Sequence, residues 1–504
     1  MPRCRVLALA LAAALLLPAV AAAKPKPTFA VGAATEITNP PAGQRLCLGG
    51  YSDCANGGGR TMTGIRDDLR TRALAISEGD DGMILVHTTN VGFFASYKTI
   101  PGVGAYHLRQ AVAERTGVPA DHVIVQADHS HSSPDSIGIW GGVPPSYLKL
   151  MQDRAVDAAV RAWDLRRPAK VYLGKADGTG VRSLYDTGPN VPTDDVFLML
   201  WAVDRETDER IATWINYSPH ATVLNSSNTE ASGDWPEWAA QIAEAEFGGT
   251  GIGSVGTLGR EDFGEIDTDS SGAGRLENAV TDAKNRLRRL IDEATRAREE
   301  VPAERGVGVQ TTYLREHIGQ PILALNHLPE GTVNMGGYDF SLDRDTQPPF
   351  LAGTVIGTWA GAARIGDVFI GLSPGESFPQ LQFYLREEGG VTGARAWFHL
   401  GATNDFLGYM VRPLDHYPQT FVEGAGYLLG CPEEELFSNT GIPYDDACPD
   451  HWTLMVSPTI GSHVSCTIQN AGMALGFTSA TRDPACEPLT AADGVGAPPE
   501  KNAG

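Results

Sequence analysis

Apolar residues recur along this chain with two different spacings, and the switches between them mark its elements. Period-two or continuous apolar runs at Arg70–Ile76 and Met83–Thr88 read as strands around the turn Gly79-Asp80-Asp81-Gly82. The same signal predicts strands at Val123–Val125, Val171–Leu173, Val196–Val203, Arg210–Tyr217, Val368–Leu372 and Arg395–Leu400. Helical spacing is strongest over Tyr147–Arg166, where Leu148, Met151, Ala155, Ala159, Ala162 and Trp163 share one stripe and Pro168 supplies the stop. Further helices are predicted at Tyr106–Thr116, Asp234–Glu244 (Asp234 as cap, Pro236 in the first turn) and Phe378–Arg386. Gly274–Glu300 completes the set, its alternating charges a solvated face. The Gly-rich text of 248–259 reads as a loop, residues 24–66 are rich in Gly and Pro with Cys47 and Cys54 tying a loop, and the text from Cys431 onward is loop-rich. The order of elements is that of an α/β fold: a large mixed sheet with flanking helices and a loop-rich, disulfide-bearing C-terminal part.

The ends of the chain fall outside this pattern. Arg3 and Arg5 precede an apolar run from Val6 to Val20 and the small residues Ala21-Ala22-Ala23, the form of a secretory signal peptide cleaved after Ala23. The expected product is secreted or otherwise extracytoplasmic, with one domain over residues 24–487 and a disordered tail over 488–504. No other run reaches the roughly 18 apolar residues that a membrane span needs. Removing Cys4 with the leader leaves an even number of cysteines, which in an exported chain favours disulfides. Sequence proximity suggests Cys47 with Cys54, Cys431 with Cys448, and Cys466 with Cys486. A formal charge of −22 argues against nucleic acid as a partner, because phosphate binding needs a basic face.

Chemistry enters at the strand ends. Val123-Ile124-Val125 leads through Ala127 and Asp128 to His129-Ser130-His131, and spacing of two puts both imidazoles on one face of an extended segment. Two neutral imidazoles at a strand end suit Zn²⁺, as they also suit a pair of exposed loop histidines. The motif then repeats in kind. Arg210–Tyr217 runs into Pro219-His220, Val368–Leu372 into Gly375-Glu376, and Arg395–Leu400 into the polar stretch 404–409. Sites in α/β sheets gather outside the carboxyl ends of strands. Two imidazoles plus a carboxylate are a common hydrolytic zinc set with room for an activated water. No HExxH is present, the Asp-His that follows His-x-His in metallo-β-lactamases is missing, and eight β/α repeats are not evident. Ser254 stands nearest to a nucleophile elbow, but Ile252 occupies the place of its first glycine.

Taken together, these segments resemble the N-terminal catalytic domain of the neutral/alkaline non-lysosomal ceramidase family. The resemblance is carried by Gly49-Gly50-Tyr51, Gly64-Ile65-Arg66 through Arg72-Ala73, and His129-Ser130-His131-Ser132-Ser133-Pro134. It continues at Pro219-His220, Gly375-Glu376 and Asn404-Asp405-Phe406-Leu407-Gly408-Tyr409, in the family's order. It implies one Zn²⁺ per chain held by His129, His220, Glu376 and Tyr409. It also implies that His131 lies beside the attacking water, and that the substrate is a small molecule or lipid with an N-acyl bond.

Three departures accompany it. The family's serine near the water falls in Leu258-Gly259-Arg260-Glu261-Asp262-Phe263, where Asp262 stands at its place. His87-Thr88-Thr89-Asn90 replaces a strand end that carries aspartate in the family, and the chain stops about where the family's C-terminal immunoglobulin-like domain would begin. These leave open a catalytically silent, zinc-containing module that recognises lipid or glycan. A two-metal phosphatase-like site drawing on Asp128, Asp135, Asp234 and Asp405 is the third reading.

Overall fold

A computed structural model describes residues 26–51, 54, 59–97, 100–179, 183–184, 194–259, 261–263, 273–317, 355–386, 390–410, 460–479 and 481. The longer strands are β1 (Phe29–Ile37), β2 (Arg70–Glu78), β3 (Asp81–Thr88), β4 (Val123–Ala127), β5 (Arg167–Asp177), β6 (Val196–Asp204), β7 (Arg210–Tyr217) and β8 (Thr250–Val255). With the short strand Glu299–Glu300 on β5 they form a nine-stranded sheet in the order β8-β7-β6-β5-β1-β2-β3-β4. Pairing is antiparallel except at the two edges, where β8 runs parallel to β7 and β4 parallel to β3. A second sheet orders β9 (Val307–His317), β10 (Val355–Ile365), β11 (Val368–Leu372) and β12 (Ala396–Leu400), with β12 parallel to β11. The mixed α/β architecture is the one the apolar pattern predicts.

Alternation along the strands shows how the layers stack. Leu198 and Leu200 of β6 point into a core shared with Ile365, Val368 and Ile370 of the second sheet. Phe197, Met199 and Trp201 point instead toward α3 (Asp234–Phe247) and α4 (Ala273–Arg296). The apolar stripe of α2 (Pro145–Asp164) packs over β1, β2 and β3, and α1 (Ala105–Thr116) lies beside it over β4. Two sheets therefore face each other with helices outside them, and both faces of the large sheet are apolar. This explains why Val123, Ile124 and Val125 form an unbroken buried run rather than an alternating one.

Several expected boundaries shift. Helix α2 ends at Asp164, and Pro168 lies in β5 rather than stopping the helix. The Gly-rich text expected to be a loop contains β8. A Cβ on Gly251 would sit 2.2 Å from the Ala240 carbonyl oxygen, and one on Gly253 would sit 2.1 Å from that of Pro236. Those glycines let a strand lie directly against α3, so the text that reads as loop is a close-packed strand. Asp234 does not cap α3 through its side chain; Gly233 is the N-cap residue. The Asp234 carboxylate accepts the backbone N–H groups of Val223 (3.2 Å), Leu224 (2.7 Å) and Trp235 (2.6 Å), fastening the loop after His220. β1 falls in Gly- and Pro-rich text for which no strand is predicted. The cysteine-bearing part beyond residue 430 also carries α6 (Ile460–Ala474), while α5 (Pro379–Arg386) follows the Glu376 turn. Cys47 and Cys54 form the expected disulfide. Cys466 is disulfide-bonded, whereas Cys431, Cys448, Cys486 and the tail lie outside the described residues. Among the described residues no helix is long and apolar enough to cross a membrane.

The lock between the sheets sits beside the candidate site. β4 is an edge strand, and an open edge leaves its N–H and C=O groups unpaired. The loop after β12 covers it. Asn404 donates its N–H to Val125 O at 2.6 Å and accepts the Val125 N–H on its side-chain oxygen at 2.9 Å. Gln126 reaches across to the carbonyls of Val255 (2.8 Å) and Gly401 (3.0 Å). One amide side chain thus ties the ends of β4, β8 and β12 together.

Candidate metal centre

The three histidines come from two loops that leave β4 and β7. His129 lies two residues beyond β4 in a left-handed backbone conformation (φ 54°), a costly one for a residue with a Cβ. It is held from both sides. Asp128 accepts the N–H groups of Asn90 (3.1 Å) and Ser130 (3.2 Å), and the His129 N–H donates to Asn90 O at 3.1 Å. The His129 ring pairs its Nδ1 with the Val91 carbonyl at 2.5 Å and stacks on Phe406 with centroids 5.1 Å apart. Donation from Nδ1 leaves the Nε2 lone pair pointing inward. His220 is oriented in the same way, its Nδ1 3.3 Å from Glu261 O and its backbone N–H 2.6 Å from that carbonyl.

Glu376 follows β11 in a two-residue parallel pairing, Glu376–Ser377 with Tyr409–Met410, in which Glu376 and Tyr409 are directly opposite. Its Oε2 lies 3.0 Å from His220 Nε2 and 3.4 Å from His129 Nε2, and His131 Nε2 lies 3.2 Å from His129 Nε2. The donor nitrogens of His129, His131 and His220 all fall within 4.8 Å of one another.

Electrostatics follow from this crowding. Burial alone would raise the Glu376 carboxyl, but the imidazoles of His129 and His220 hold it well below the usual carboxylate range. His220 is raised: burial opposes its charge, and Glu376 overrides burial. Burial, then the neighbouring His129 and His220, push His131 well below its ordinary value.

The donor set can be tested against a metal. Tetrahedral zinc with bonds of about 2.0–2.1 Å separates its ligand atoms by roughly 3.3–3.4 Å; Glu376 Oε2 stands 3.0 Å from His220 and 3.4 Å from His129, and the two imidazole nitrogens lie within 4.8 Å of each other. The chemistry agrees. A carboxylate oxygen facing two inward lone pairs is unfavourable unless a proton or a cation lies between them. These residues can hold a metal ion.

Of the expected site residues, the structure gathers His129, His131, His220 and Glu376 at one point and sets Tyr409 in register with Glu376. Asp262 is partly buried on the His220 side, where it accepts the Thr222 hydroxyl at 2.6 Å. The four aspartates of the two-metal reading are elsewhere engaged. Asp135 accepts the N–H groups of Gly138, Trp140 and Gly142, and Asp405 accepts that of Ala95 and the hydroxyl of Thr358. Asp128 and Asp234 fasten loops as described.

Other contributors carry no separate sequence signal. Phe406 stacks on His129, and the carbonyls of Val91 and Glu261 orient two rings. Gly50 (φ 93°) admits the His131 ring, whose Cγ would lie 2.2 Å from a Cβ at that position. Gly50 belongs to Gly49-Gly50-Tyr51, so its motif, though not its role, was legible in the sequence.

No known family profile matches the chain, and no curated protein matches it. Solved structures do. A neutral ceramidase from Pseudomonas aeruginosa aligns with a TM-score of 0.61 at 16% identity, covering 91% of this chain and 77% of that one. A ceramidase complexed with C2 aligns with a TM-score of 0.61 at 14% identity, covering 90% and 77%. The chain therefore has a neutral ceramidase-like fold.

Proposed function

We propose that this chain is an exported zinc-dependent hydrolase that cleaves the amide bond of an N-acyl, lipid-like substrate with water, and that residues 24–487 form its single catalytic domain behind leader 1–23. The observation that carries the reading is the convergence of His129, His220 and Glu376, with His131 beside them, at separations suited to one small cation. Two aligned structures being ceramidases, the amide of a lipid is the substrate class favoured over other acyl compounds. In this reading His129, His220, Glu376 and Tyr409 hold the ion. Zinc in such a site polarises a carbonyl and acidifies water.

The chain's own groups do the rest. His131 is neutral in this setting, so its Nε2 accepts a proton from the attacking water and passes it to the leaving amine. Water adds to the acyl carbon, the C–N bond breaks, and the products are a carboxylic acid and a free amine. Asp262 orients water or amine from the His220 side, at the place where the family has serine. Phe406 and the loops bearing the histidines keep bulk water out, which strengthens each polar contact inside.

Metal analysis of purified protein should find about one zinc per chain, and a panel of N-acyl lipids and N-acyl amino acids should release free amine. Zinc retained after both His129→Ala and His220→Ala would end the proposal. Bound zinc with no turnover across the panel would assign the chain to the silent recognition module instead.

A further inference from the structure

One buried cation next to the site has no role in the reading above. Arg60 is 5% exposed, yet among the described residues no carboxylate pairs with it. Burying a guanidinium without a counter-ion is unfavourable unless its donors find other partners. Arg60 spends them on backbone carbonyls from three separate segments. Nη1 donates to Asn228 O at 3.0 Å, and Nη2 donates to Gly49 O and to His131 O. The guanidinium also lies 4.5 Å over the Tyr51 ring, which meets the His131 imidazole edge-on at 5.0 Å. Gly49, Gly50 and Tyr51 belong to the loop closed by Cys47–Cys54, and Gly50 is the residue against which the His131 ring rests.

The other members of the cluster are held independently. Val91 fixes His129, Glu261 fixes His220, and the pairing with Tyr409–Met410 fixes Glu376. Arg60 bonds none of those groups; at the cluster it holds the His131 carbonyl, beside the His131 N–H that donates to Ala221 O at 3.1 Å.

We propose that Arg60 is a positioning residue that sets the His131 imidazole against the cluster, acting through the His131 carbonyl, Gly49 and Tyr51. It rests on the proposed function only in taking His131 as the proton-handling group. A planar fork reaching three carbonyls cannot be replaced by the single ammonium of lysine. Removing it leaves the zinc donors His129, His220 and Glu376 in place and loosens the seat of His131, which keeps its N–H bond to Ala221 O.

The test uses full-length Arg60→Ala, Arg60→Lys and Arg60→Gln, the last kept in case the alanine variant does not fold. Expected are about one zinc per chain as in the parent, and kcat lower by roughly 100-fold, the low end of what a positioned proton-transfer group contributes. KM should be little changed, lysine should fail to restore turnover, and guanidinium ion should partly rescue the alanine variant while leaving the parent unaffected. The His131 imidazole resonance, assigned by its loss in His131→Gln, should broaden or shift in each variant while those of His129 and His220 stay. Parent-like kcat and an unmoved His131 resonance would overturn the proposal. So would loss of zinc in step with lost turnover and no rescue, which would make Arg60 merely structural. If the parent binds zinc but turns nothing over, the functional reading fails, and the imidazole resonance still decides the role of Arg60.

Discussion

Gly50→Ala offers the sharpest check on how His131 is seated. A Cβ there would lie 2.2 Å from His131 Cγ and 2.5 Å from both Cβ and Nδ1, on a backbone with φ of 93°. Two costs result, and a second glycine separates them. Gly43 has φ of 83° and nothing within 4 Å of an added Cβ, so Gly43→Ala carries the left-handed penalty alone, about 1–2 kcal/mol. Gly50→Ala carries that penalty plus the clash. If the ring holds its place, overpacking adds about 1–3 kcal/mol. If it yields, it must move from 2.2 Å to the 3.4 Å at which ordinary contact begins, a retreat of about 1.2 Å. A displacement of that size at a reacting group lowers turnover by about 100-fold. Urea unfolding, zinc content and amine release would be measured on both variants. Gly50→Ala should either unfold more readily than Gly43→Ala by the overpacking increment, or match its stability and lose turnover with zinc retained. Equal stability together with equal turnover would refute the seating of His131 described here.

Three further outcomes are expected. Gly253→Ala places a Cβ 2.1 Å from the Pro236 carbonyl oxygen, so urea unfolding should show a loss of at least about 1–3 kcal/mol; a change within about 0.5 kcal/mol would contradict the contact of β8 with α3. His87 and His399 are each lowered to about 3 by burial, His87 also by Arg72. The unfolded chain then binds protons that the fold refuses between roughly pH 6.5 and 3, so stability is greatest above that window and falls with acid at about 1.4 kcal/mol per pH unit per histidine. His87→Leu should make this slope shallower by one proton; an unchanged slope would show that His87 titrates normally. Chelation should lower the melting temperature and zinc should restore it, adding about 2.7 kcal/mol of stability at free zinc a hundredfold above Kd. A zinc-independent melt in the parent would count against the centre.

Much of the layered fold was legible because burial on both faces writes itself as apolar runs. β4, β7 and β11 announce themselves in this way, and so do the stripe of α2 and the polar residues that end each strand. β8 was hidden for a physical reason. A strand that touches a helix backbone must give up its side chains, and a Gly-Ile-Gly-Ser text reads as a loop. Asp234 misled similarly: an acid before an apolar run resembles a cap, whereas its carboxylate serves the loop of His220. β1 was masked by the Gly- and Pro-rich text around it.

That three strand ends meet at one point was not written in any period. His129, His220 and Glu376 follow separate strands, and nothing local brings the two histidines within 3.4 Å of Glu376. The meeting is set by single side chains that bond backbone across the sheets. Asn404 pairs with Val125, Gln126 spans Val255 and Gly401, and Asn216 donates to His399 O at 2.9 Å. The backbone records the consequence. Among the described residues, five non-glycine residues have positive φ; His129, Ala402 and Asn404 lie in the loops around the cluster, and Asp234 opens α3 beside them. Each such conformation costs of order 1–3 kcal/mol and persists where surrounding bonds over-determine it. Asp128, Asp234 and Asn404 supply those bonds with acceptors aimed at nearby N–H groups. The polar loops that read as four separate strand ends are thus one rigid frame, and rigidity is what a metal centre with ligand separations near 3 Å requires.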